Sequence, residues 1–172
     1  LCQELGLGDR VFARVHTFGK AMGCHGAVVV GDRMLIDYLI NFSRALIYTT
    51  ALPPHGLQTI RRSFDYLLSH AKLIGDLQHT IQTFRRLLPS YFDESQLRCW
   101  VDSQSPIQAM IIPGNERVRA VAAALQEQLL IVKPILSPTV RVGEERLRIC
   151  LHVYNTEAEM KKLLLLLAKL TA

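Results

Sequence analysis

A single lysine between two apolar runs is the residue best placed for covalent chemistry. Lys20 follows the alternating run at residues 11–15 and precedes the apolar run at residues 27–30, which predicts a turn between two strands. We expect residues 15–23 to bury this lysine. Desolvation lowers the pKa of a buried amine, and the neutral amine is the form that condenses with an aldehyde. The alternative is an ordinary surface lysine in a turn.

The neighbours of this lysine are suited to binding an anion. Thr17 precedes Lys20 by three residues, and its hydroxyl could donate to a phosphate oxygen. Gly19 and Gly23 would allow backbone N–H groups to approach the same anion closely. The pattern Thr-x-Gly-Lys is weak by itself, so its interpretation depends on the rest of the chain.

Two threonines follow another apolar run. Residues 45–48 predict a short buried strand, and Thr49 and Thr50 come directly after it, before a stop at two prolines. Two hydroxyls just past a strand end either bind phosphate or complete a turn. The chemistry of these residues alone favours the turn.

Two arginines open the last predicted strand. Arg146 and Arg148 are two positions apart, so both side chains lie on one face of a strand. Arg148 follows a Pro-Thr loop and could grip a carboxylate with a two-pronged hydrogen bond. The alternative is a structural ion pair with Glu144 or Glu145, which chemistry alone slightly favours.

Helices and strands of the first half must position these residues. Asp32 is predicted to cap a helix that runs to Ser43, and its apolar stripe is expected to be core. Residues 55–88 keep a helical period that only Gly75 interrupts, which predicts one long helix or two in tandem. The apolar stripe of the helix predicted between Asp32 and Ser43 consists of Met34, Leu35, Tyr38, Leu39 and Phe42.

The second half alternates between strands and helices. Strands are predicted at 107–112, 129–136 and 147–153, with helices at 115–128 and from Thr156 onward. Glu159 stands three residues after Thr156, the spacing of a capping box. The chain is therefore predicted to be α/β, and its second half to be a small domain in which helices cover a few-stranded sheet.

Composition excludes several classes of function. At 172 residues and 49% hydrophobic, the chain can bury the core of one globular domain or one and a half. The net charge is +5, but the basic residues form scattered pairs typical of solvated helix faces, not a nucleic-acid surface. The four cysteines form no C-x-x-C pair, so neither a zinc site nor a disulfide is indicated. Unpaired cysteines favour reduced thiols in the cytoplasm. No apolar run is long enough to span a bilayer, and we expect no metal, nucleic-acid or membrane partner.

Five segments carry a resemblance to a known family. They are Thr-Phe-Gly-Lys-Ala-Met-Gly at 17–23, Asp-Tyr-Leu-Ile-Asn-Phe-Ser-Arg at 37–44, Ile-Tyr-Thr-Thr-Ala-Leu-Pro-Pro at 47–54, Ser-Pro-Thr-Val at 137–140 and Gly-Glu-Glu-Arg-Leu-Arg at 143–148. Together they resemble the α-oxoamine synthases, which are pyridoxal-phosphate enzymes of fold type I. The resemblance covers nearly the whole chain.

This resemblance implies the domain organisation. Residues 1–68 would be the end of the large, mostly parallel-sheet domain that binds the cofactor, with the start of the interdomain helix. Residues 69–172 would be the small C-terminal α/β domain. Members of the family are longer than this chain, which also lacks an initiator methionine. We therefore expect the C-terminal part of a larger protein, inactive by itself.

The resemblance also implies how the cofactor is held. Lys20 would bind pyridoxal phosphate through its aldehyde, and Thr17 would contact the cofactor. Thr49 and Thr50 would reach the cofactor phosphate of the other subunit. The implied catalytic unit is a homodimer whose active site is shared across the interface.

The implied reaction is a decarboxylating condensation of an amino acid with an acyl-CoA. Arg148 would hold the amino acid's carboxylate and Thr139 would bind substrate from the preceding loop. Alanine is the favoured amino acid, with glycine or serine and another acyl-CoA as the alternative. Recognition of the acyl chain is matched less closely, because Arg141 replaces a proline of many members and Leu136 an arginine of some. A non-catalytic dimerisation or partner-binding domain is the alternative from another class.

Overall fold

The computed structural model describes residues 2 and 4–171, which divide between His70 and Ala71 into two compact units. Unit 1 precedes this boundary and unit 2 follows it. Among the described residues, no helix is long and apolar enough to cross a membrane. The α/β character predicted from the sequence is present, since each unit combines a small sheet with helices.

Unit 1 begins with a short 3-10 turn at Gly8–Arg10 and a two-stranded sheet. Strand β1 (Ala13–Thr17) pairs antiparallel with strand β2 (Ala27–Gly31). The prediction of two strands is confirmed. Their connection, residues 18–26, carries Lys20 as expected from the apolar runs on either side.

Helix α1 (Arg33–Phe42) begins at the predicted cap, where the Asp32 carboxylate accepts a hydrogen bond from the Met34 N–H. Its apolar stripe is not core in this chain, because Met34 is 80%, Tyr38 60% and Phe42 66% exposed. The prediction of a buried stripe is wrong. Helical spacing shows which side chains share a face, but the buried cluster of unit 1 includes no residue of α1.

A short helix replaces the strand predicted at residues 45–48. Helix α2 (Arg44–Ile47) is exposed, and the N–H groups of Ile47 and Tyr48 donate to the carbonyls of Ser43 and Arg44. The prediction of a buried strand is wrong because these backbone groups are satisfied within the turn itself. An apolar run this short does not distinguish a strand from a helical turn.

Two helices in tandem follow, α3 (Pro54–Ser69) in unit 1 and α4 (Lys72–Leu87) in unit 2. Of the two alternatives, two helices rather than one is correct. The break lies at His70, whose φ of −122° and ψ of 45° leave the helical region. Gly75 lies inside α4, where a glycine costs about 1 kcal/mol but does not end a helix.

Unit 2 is built on a three-stranded antiparallel sheet. Strand β5 (Arg146–Cys150) lies between strand β3 (Ile107–Ile111) and strand β4 (Lys133–Ile135). Strand β5 begins one residue before the predicted range 147–153 and ends three residues before the end of that range. Strands β3 and β4 lie inside their predicted ranges, although β4 is much shorter than residues 129–136. Its first predicted residues belong to the end of the preceding helix, since the Leu130 N–H donates to the Leu125 carbonyl.

Four helices complete unit 2. They are α4, the single turn α5 (Glu94–Leu97), α6 (Asn115–Glu127) and α7 (Glu157–Thr171), with a 3-10 turn at Leu88–Ser90. The predicted capping box is confirmed: the Glu159 carboxylate accepts the Thr156 N–H, and the Thr156 hydroxyl accepts the Glu159 N–H. The start of α7 therefore follows a local sequence signal.

The core of unit 2 lies between one face of the sheet and the helices. Burial of these apolar side chains is the main favourable term for folding, at about 25 cal/mol per Å² removed from water. Arg146 and Arg148 lie on the opposite face of the sheet, so their side chains are not part of this core. The most deeply buried members of the core are Ile81, Phe84, Val118, Leu125, Leu147, Leu164 and Leu167.

The end of α6 generates a stability prediction. Leu129 has a φ of 64° and is 89% exposed. A side chain in this left-handed conformation costs about 1–2 kcal/mol, which glycine avoids. We expect Leu129→Gly to raise the free energy of unfolding by about 1 kcal/mol in urea unfolding.

The neighbouring position supplies the control. Gln128 has a φ of −89°, so Gln128→Gly relieves no strain and should lower the free energy of unfolding by roughly 0.5–1 kcal/mol. Equal losses in both variants would contradict the interpretation of Leu129 as a strained helix end.

Candidate active site

The turn that carries Lys20 is closed by backbone hydrogen bonds. The Phe18 N–H donates to the Gly26 carbonyl and the Cys24 N–H donates to the Phe18 carbonyl, both at 2.9 Å. Inside this loop the Gly23 N–H donates to the Lys20 carbonyl at 2.9 Å. Gly23 has a φ of +61°, a left-handed conformation that favours a residue without a Cβ.

Side chains on both sides of the lysine anchor the turn to α3. Phe18 and Cys24 are buried together with Ile60. The ring of Phe18 also meets the ring of Phe64 edge to face, with centroids 6.0 Å apart. The Cys24 sulfur lies 3.3 Å from the Ser63 hydroxyl. The backbone at Lys20 is therefore held by contacts that precede and follow it.

Lys20 itself is exposed, and the expectation that the turn buries it is wrong. The residues that point into the cluster are Phe18 and Cys24, and Lys20 lies between them on the solvent side of the turn. Within the described part of the chain its amine makes no hydrogen bond or ion pair. An amine on a fixed backbone with no partner is available to react.

The three threonines predicted to bind phosphate also lie in unit 1. Thr17 is the last residue of β1, opposite Ala27, and is exposed. Thr49 and Thr50 are exposed in the turn after α2. Leu52 then packs against the Phe18 cluster, and its Cδ1 would lie 3.0 Å from a Cβ built on Gly26. The segment after the threonines and the lysine turn therefore share one small cluster.

The side chain of Arg148 in unit 2 makes no hydrogen bond or ion pair with any residue that the structure describes. It pairs across the sheet with Ala109 on one side and Lys133 on the other. Its Nε is buried, yet no atom of the described residues accepts a hydrogen bond from it. The ion pair considered as the alternative is formed by Arg146, whose guanidinium lies 3.3 Å from the Glu144 carboxylate. A buried donor without a partner costs free energy unless a ligand satisfies it.

A groove on the outer face of the sheet lies beside this arginine. It has a volume of about 370 Å³, and Ser103, Ser105, Ala109 and Arg146 border it together with Arg148. A second, mainly apolar cavity of about 480 Å³ lies at the β4 edge of the sheet and also touches Arg148. The guanidinium is thus accessible from spaces large enough for a small carboxylic acid.

The loop that carries Thr139 is tied to the start of α6 through a buried glutamate. Glu145 is 2% exposed, and its Oε2 accepts the Gly114 N–H at 3.0 Å and the Gly143 N–H at 2.9 Å. From the sequence, Glu145 was considered only as a possible ion-pair partner of an arginine. Its hydrogen bonds to Gly114 and Gly143 were not predicted. A signal was present, because residue 145 immediately precedes β5 and alternates onto the same inward face as residues 147 and 149.

These hydrogen bonds favour the ionised form of Glu145. The Gly114 N–H makes the largest contribution, followed by the N–H of Glu145 itself, and together with Gly143 they lower the pKa below the usual range of a glutamate. Desolvation raises the pKa but is outweighed. Glu145 is therefore a buried carboxylate stabilised by backbone donors.

The candidate residues fall into two groups. Unit 1 holds Lys20 and the three threonines, and unit 2 holds Arg148 and Thr139. No cluster of three or more His, Cys, Asp or Glu side chains that could hold a metal occurs among residues 2 and 4–171. The four cysteines are free thiols.

Comparison with known proteins places the chain among relatives. The family model for aminotransferase class I and II matches residues 5–165. A curated relative from Emericella nidulans, 8-amino-7-oxononanoate synthase, is 42% identical over 166 residues, which cover 94% of this chain and 40% of the relative. The chain thus spans about 40% of the length of the curated relatives it matches.

Solved structures also resemble this chain. The crystal structure of 8-amino-7-oxononanoate synthase from Francisella tularensis matches with a TM-score of 0.76 and 29% identity, over 92% of this chain and 45% of that one. A high-resolution structure of SPT with PLP internal aldimine shares the fold, with a TM-score of 0.84 at 21% identity, over 98% of this chain and 42% of that one. The α/β fold class and the resemblance stated from the sequence motifs are confirmed.

The lowered pKa of Glu145 generates a pH prediction. A carboxyl whose pKa is lower in the folded than in the unfolded chain stabilises the fold above its unfolded pKa of about 4.3. This contribution is lost as the pH falls through the folded pKa. We expect the urea midpoints of the wild type and Glu145→Gln to differ most at neutral pH and to converge in acid.

The exposed Glu94 provides a control for this measurement. Glu94→Gln should leave the midpoint close to that of the wild type at every pH, because its side chain supports no second loop. A Glu145→Gln difference that is the same at neutral and acid pH would show that the charge of Glu145 is irrelevant to stability.

Proposed function

The chain belongs to the aminotransferase class I and II family, and from that premise we propose that it is part of a pyridoxal-phosphate-dependent 8-amino-7-oxononanoate synthase. Such an enzyme joins L-alanine to pimeloyl-CoA with loss of CO2 and CoA, a step of biotin synthesis. The observation that carries the proposal is the amine of Lys20, which has no partner among the described residues and stands on a turn anchored at Phe18 and Cys24. The names of the Emericella and Francisella relatives support the choice of reaction.

The residues of unit 1 fit this cofactor. An aldehyde requires a free amine, which Lys20 offers, and a phosphate dianion requires hydroxyl and N–H donors without other commitments. Thr17, Thr49 and Thr50 supply exposed hydroxyls. When bound, pyridoxal phosphate supplies an electron sink for the carbanion formed at the amino acid's Cα.

Lys20 and the groove residues have separate tasks in this proposal. The Lys20 Nζ, once free as a neutral amine, removes the proton from the Cα of alanine and later returns one. Arg148 binds the carboxylate of the amino acid through its fork of N–H donors, which satisfies the buried Nε. Thr139 contacts the substrate from the loop before β5.

The proposed assembly is a homodimer in the cytoplasm. Thr49 and Thr50 are exposed, so their hydroxyls are available to the cofactor phosphate of a second subunit. We assign residues 1–68 to the cofactor-binding domain and residues 69–172 to the small domain. A sister enzyme that uses glycine or serine with another acyl-CoA is the alternative within the same chemistry.

Covalent trapping tests the role of Lys20. In full-length protein saturated with pyridoxal phosphate, borohydride should fix the cofactor to Lys20, because reduction makes the bond between the amine and the aldehyde carbon permanent. Peptide mass mapping should place the added mass on the peptide that contains Lys20. Lys20→Ala should abolish the label, whereas Lys72→Ala, which removes another exposed lysine, should retain it. A label that maps to a different lysine would refute the proposal.

Substitution of Arg148 tests the carboxylate site. Arg148→Lys keeps the charge but loses the two-pronged geometry, so the apparent affinity for alanine should fall by about tenfold or more. Titration of the bound cofactor's absorbance with alanine measures this affinity, and the thermal midpoint should not change.

The matched control for this test is Arg146→Lys, on the same strand and face. Its side chain is committed to Glu144, so alanine affinity should stay within about twofold and stability should change by about 1 kcal/mol or less. A lowered midpoint with normal alanine affinity in Arg148→Lys would assign Arg148 to structure.

A further inference from the structure

A carboxylate is buried in unit 2, and none of the described cationic side chains pairs with it. Glu145 is 2% exposed, and in the described part of the chain it takes part in no salt bridge. The adjacent glutamate, Glu144, is the one that pairs with Arg146. Burying a charge is unfavourable unless hydrogen bonds replace the lost water, and here the donors are two backbone N–H groups. The burial of Glu145 is thus explained by the two loops that it joins.

Both donors belong to glycines in unusual backbone conformations. Gly114 has a φ of +96° and Gly143 a φ of +87°, values that a residue with a side chain rarely adopts. Gly114 stands immediately before α6, and Gly143 lies in the loop before β5. One oxygen of Glu145, Oε2, accepts from both. The carboxylate of Glu145 therefore links the loop before β5 to the start of α6.

The same helix start holds the other end of that loop. The Asn115 Oδ1 accepts the Ser137 N–H at 3.0 Å, and the Asn115 amide donates to the Ser137 carbonyl at 3.3 Å. The loop is thus hydrogen-bonded to the start of α6 at both ends: Glu145 to Gly114, and Ser137 to Asn115. Thr139 lies between the two anchors, so its backbone position depends on both.

Glu145 also lies in register with the strand that follows. The Ile112 N–H donates to the Glu145 carbonyl at 2.8 Å, which continues the pairing of Ile111 with Arg146 and of Ala109 with Arg148. Because side chains alternate along a strand, an inward residue 145 places residue 148 on the outer face. A shift of one residue would turn that side chain toward the core.

We propose that Glu145 is a positioning residue for the amino-acid site, holding the Thr139 loop and the outward orientation of Arg148 through its bonds to Gly114 and Gly143. This inference rests on the proposed function, since it takes these residues as those that bind the substrate. Glu145 acts through them and does not touch the substrate itself.

Kinetics of full-length protein test the proposal. Glu145→Ala removes the acceptor of both N–H groups, so the KM for alanine should rise by about tenfold or more, with a smaller change in kcat. Glu145→Gln keeps an oxygen in place without the charge, so its KM should lie between those of the wild type and the alanine variant. The matched control is Asp93→Ala, which removes a carboxylate that accepts the Gln96 N–H elsewhere in unit 2. Its KM should stay within about twofold of the wild type.

Hydrogen exchange supplies a readout that needs no catalysis. Peptides covering residues 137–145 should take up deuterium faster in Glu145→Ala than in the wild type or in Asp93→Ala, because the loop has lost an anchor. If Glu145→Ala does not fold, Asn115→Ala loosens the other anchor and should raise both the exchange rate and the KM. An unchanged exchange rate overturns the proposal whatever the enzyme does.

The two possible failures give different results. If the wild-type enzyme shows no activity with alanine, glycine or serine, the proposed function fails, and the exchange rates still decide whether Glu145 anchors the loop. If the wild type is active and Glu145→Ala and Glu145→Gln keep its KM, the positioning role is overturned. An equal rise of KM in Asp93→Ala would also overturn it, since general destabilisation would then explain the effect.

Discussion

The hydrogen bonds from Gly114 and Gly143 to one oxygen of Glu145 are the constraint on which the candidate substrate site depends. They join the start of α6 to the loop before β5, two segments 31 residues apart in sequence. The apolar core can hold the sheet against the helices, but burial is not directional and does not determine which way a loop points. Directed backbone bonds to a buried charge do, because each is lost if the loop moves by more than a fraction of an ångström.

In the lysine turn of unit 1, too, the backbone is held by residues other than the one that would react. Phe18 and Cys24 bury their side chains against α3, and Lys20 between them stays exposed. The backbone is fixed by apolar packing and the reactive group is left to solvent. Both candidate sites therefore separate the residues that hold the backbone from those that would meet a ligand. Lys20 and Arg148, cations that no described side chain pairs with, then stand on a backbone that is already ordered.

Local signals were reliable wherever the bonds they specify are local. The Asp32 cap, the Thr156–Glu159 capping box and the strands on either side of Lys20 were all predicted from residues close in sequence. The failures have two causes. The strand predicted at residues 45–48 was wrong because so short an apolar run does not distinguish a strand from a helical turn, here α2. The burial predicted for the stripe of α1 depends on distant residues, and most of that stripe is exposed. Periodicity shows that apolar side chains share a face and does not show what covers that face.

The sequence by itself determined the family, the α/β class and the motifs that name the candidate residues, because these depend on residue identity and short spacing. Which arginine is free was decided only by the tertiary structure. From the sequence, Arg146 and Arg148 could each form an ion pair with Glu144 or Glu145. In the structure Glu144 pairs with Arg146, and Glu145 turns inward to Gly114. The physical reason is that a side chain's partner depends on what the fold brings near it. Here the start of α6 binds the carboxylate of Glu145, and the Arg148 Nε has no acceptor within residues 2 and 4–171.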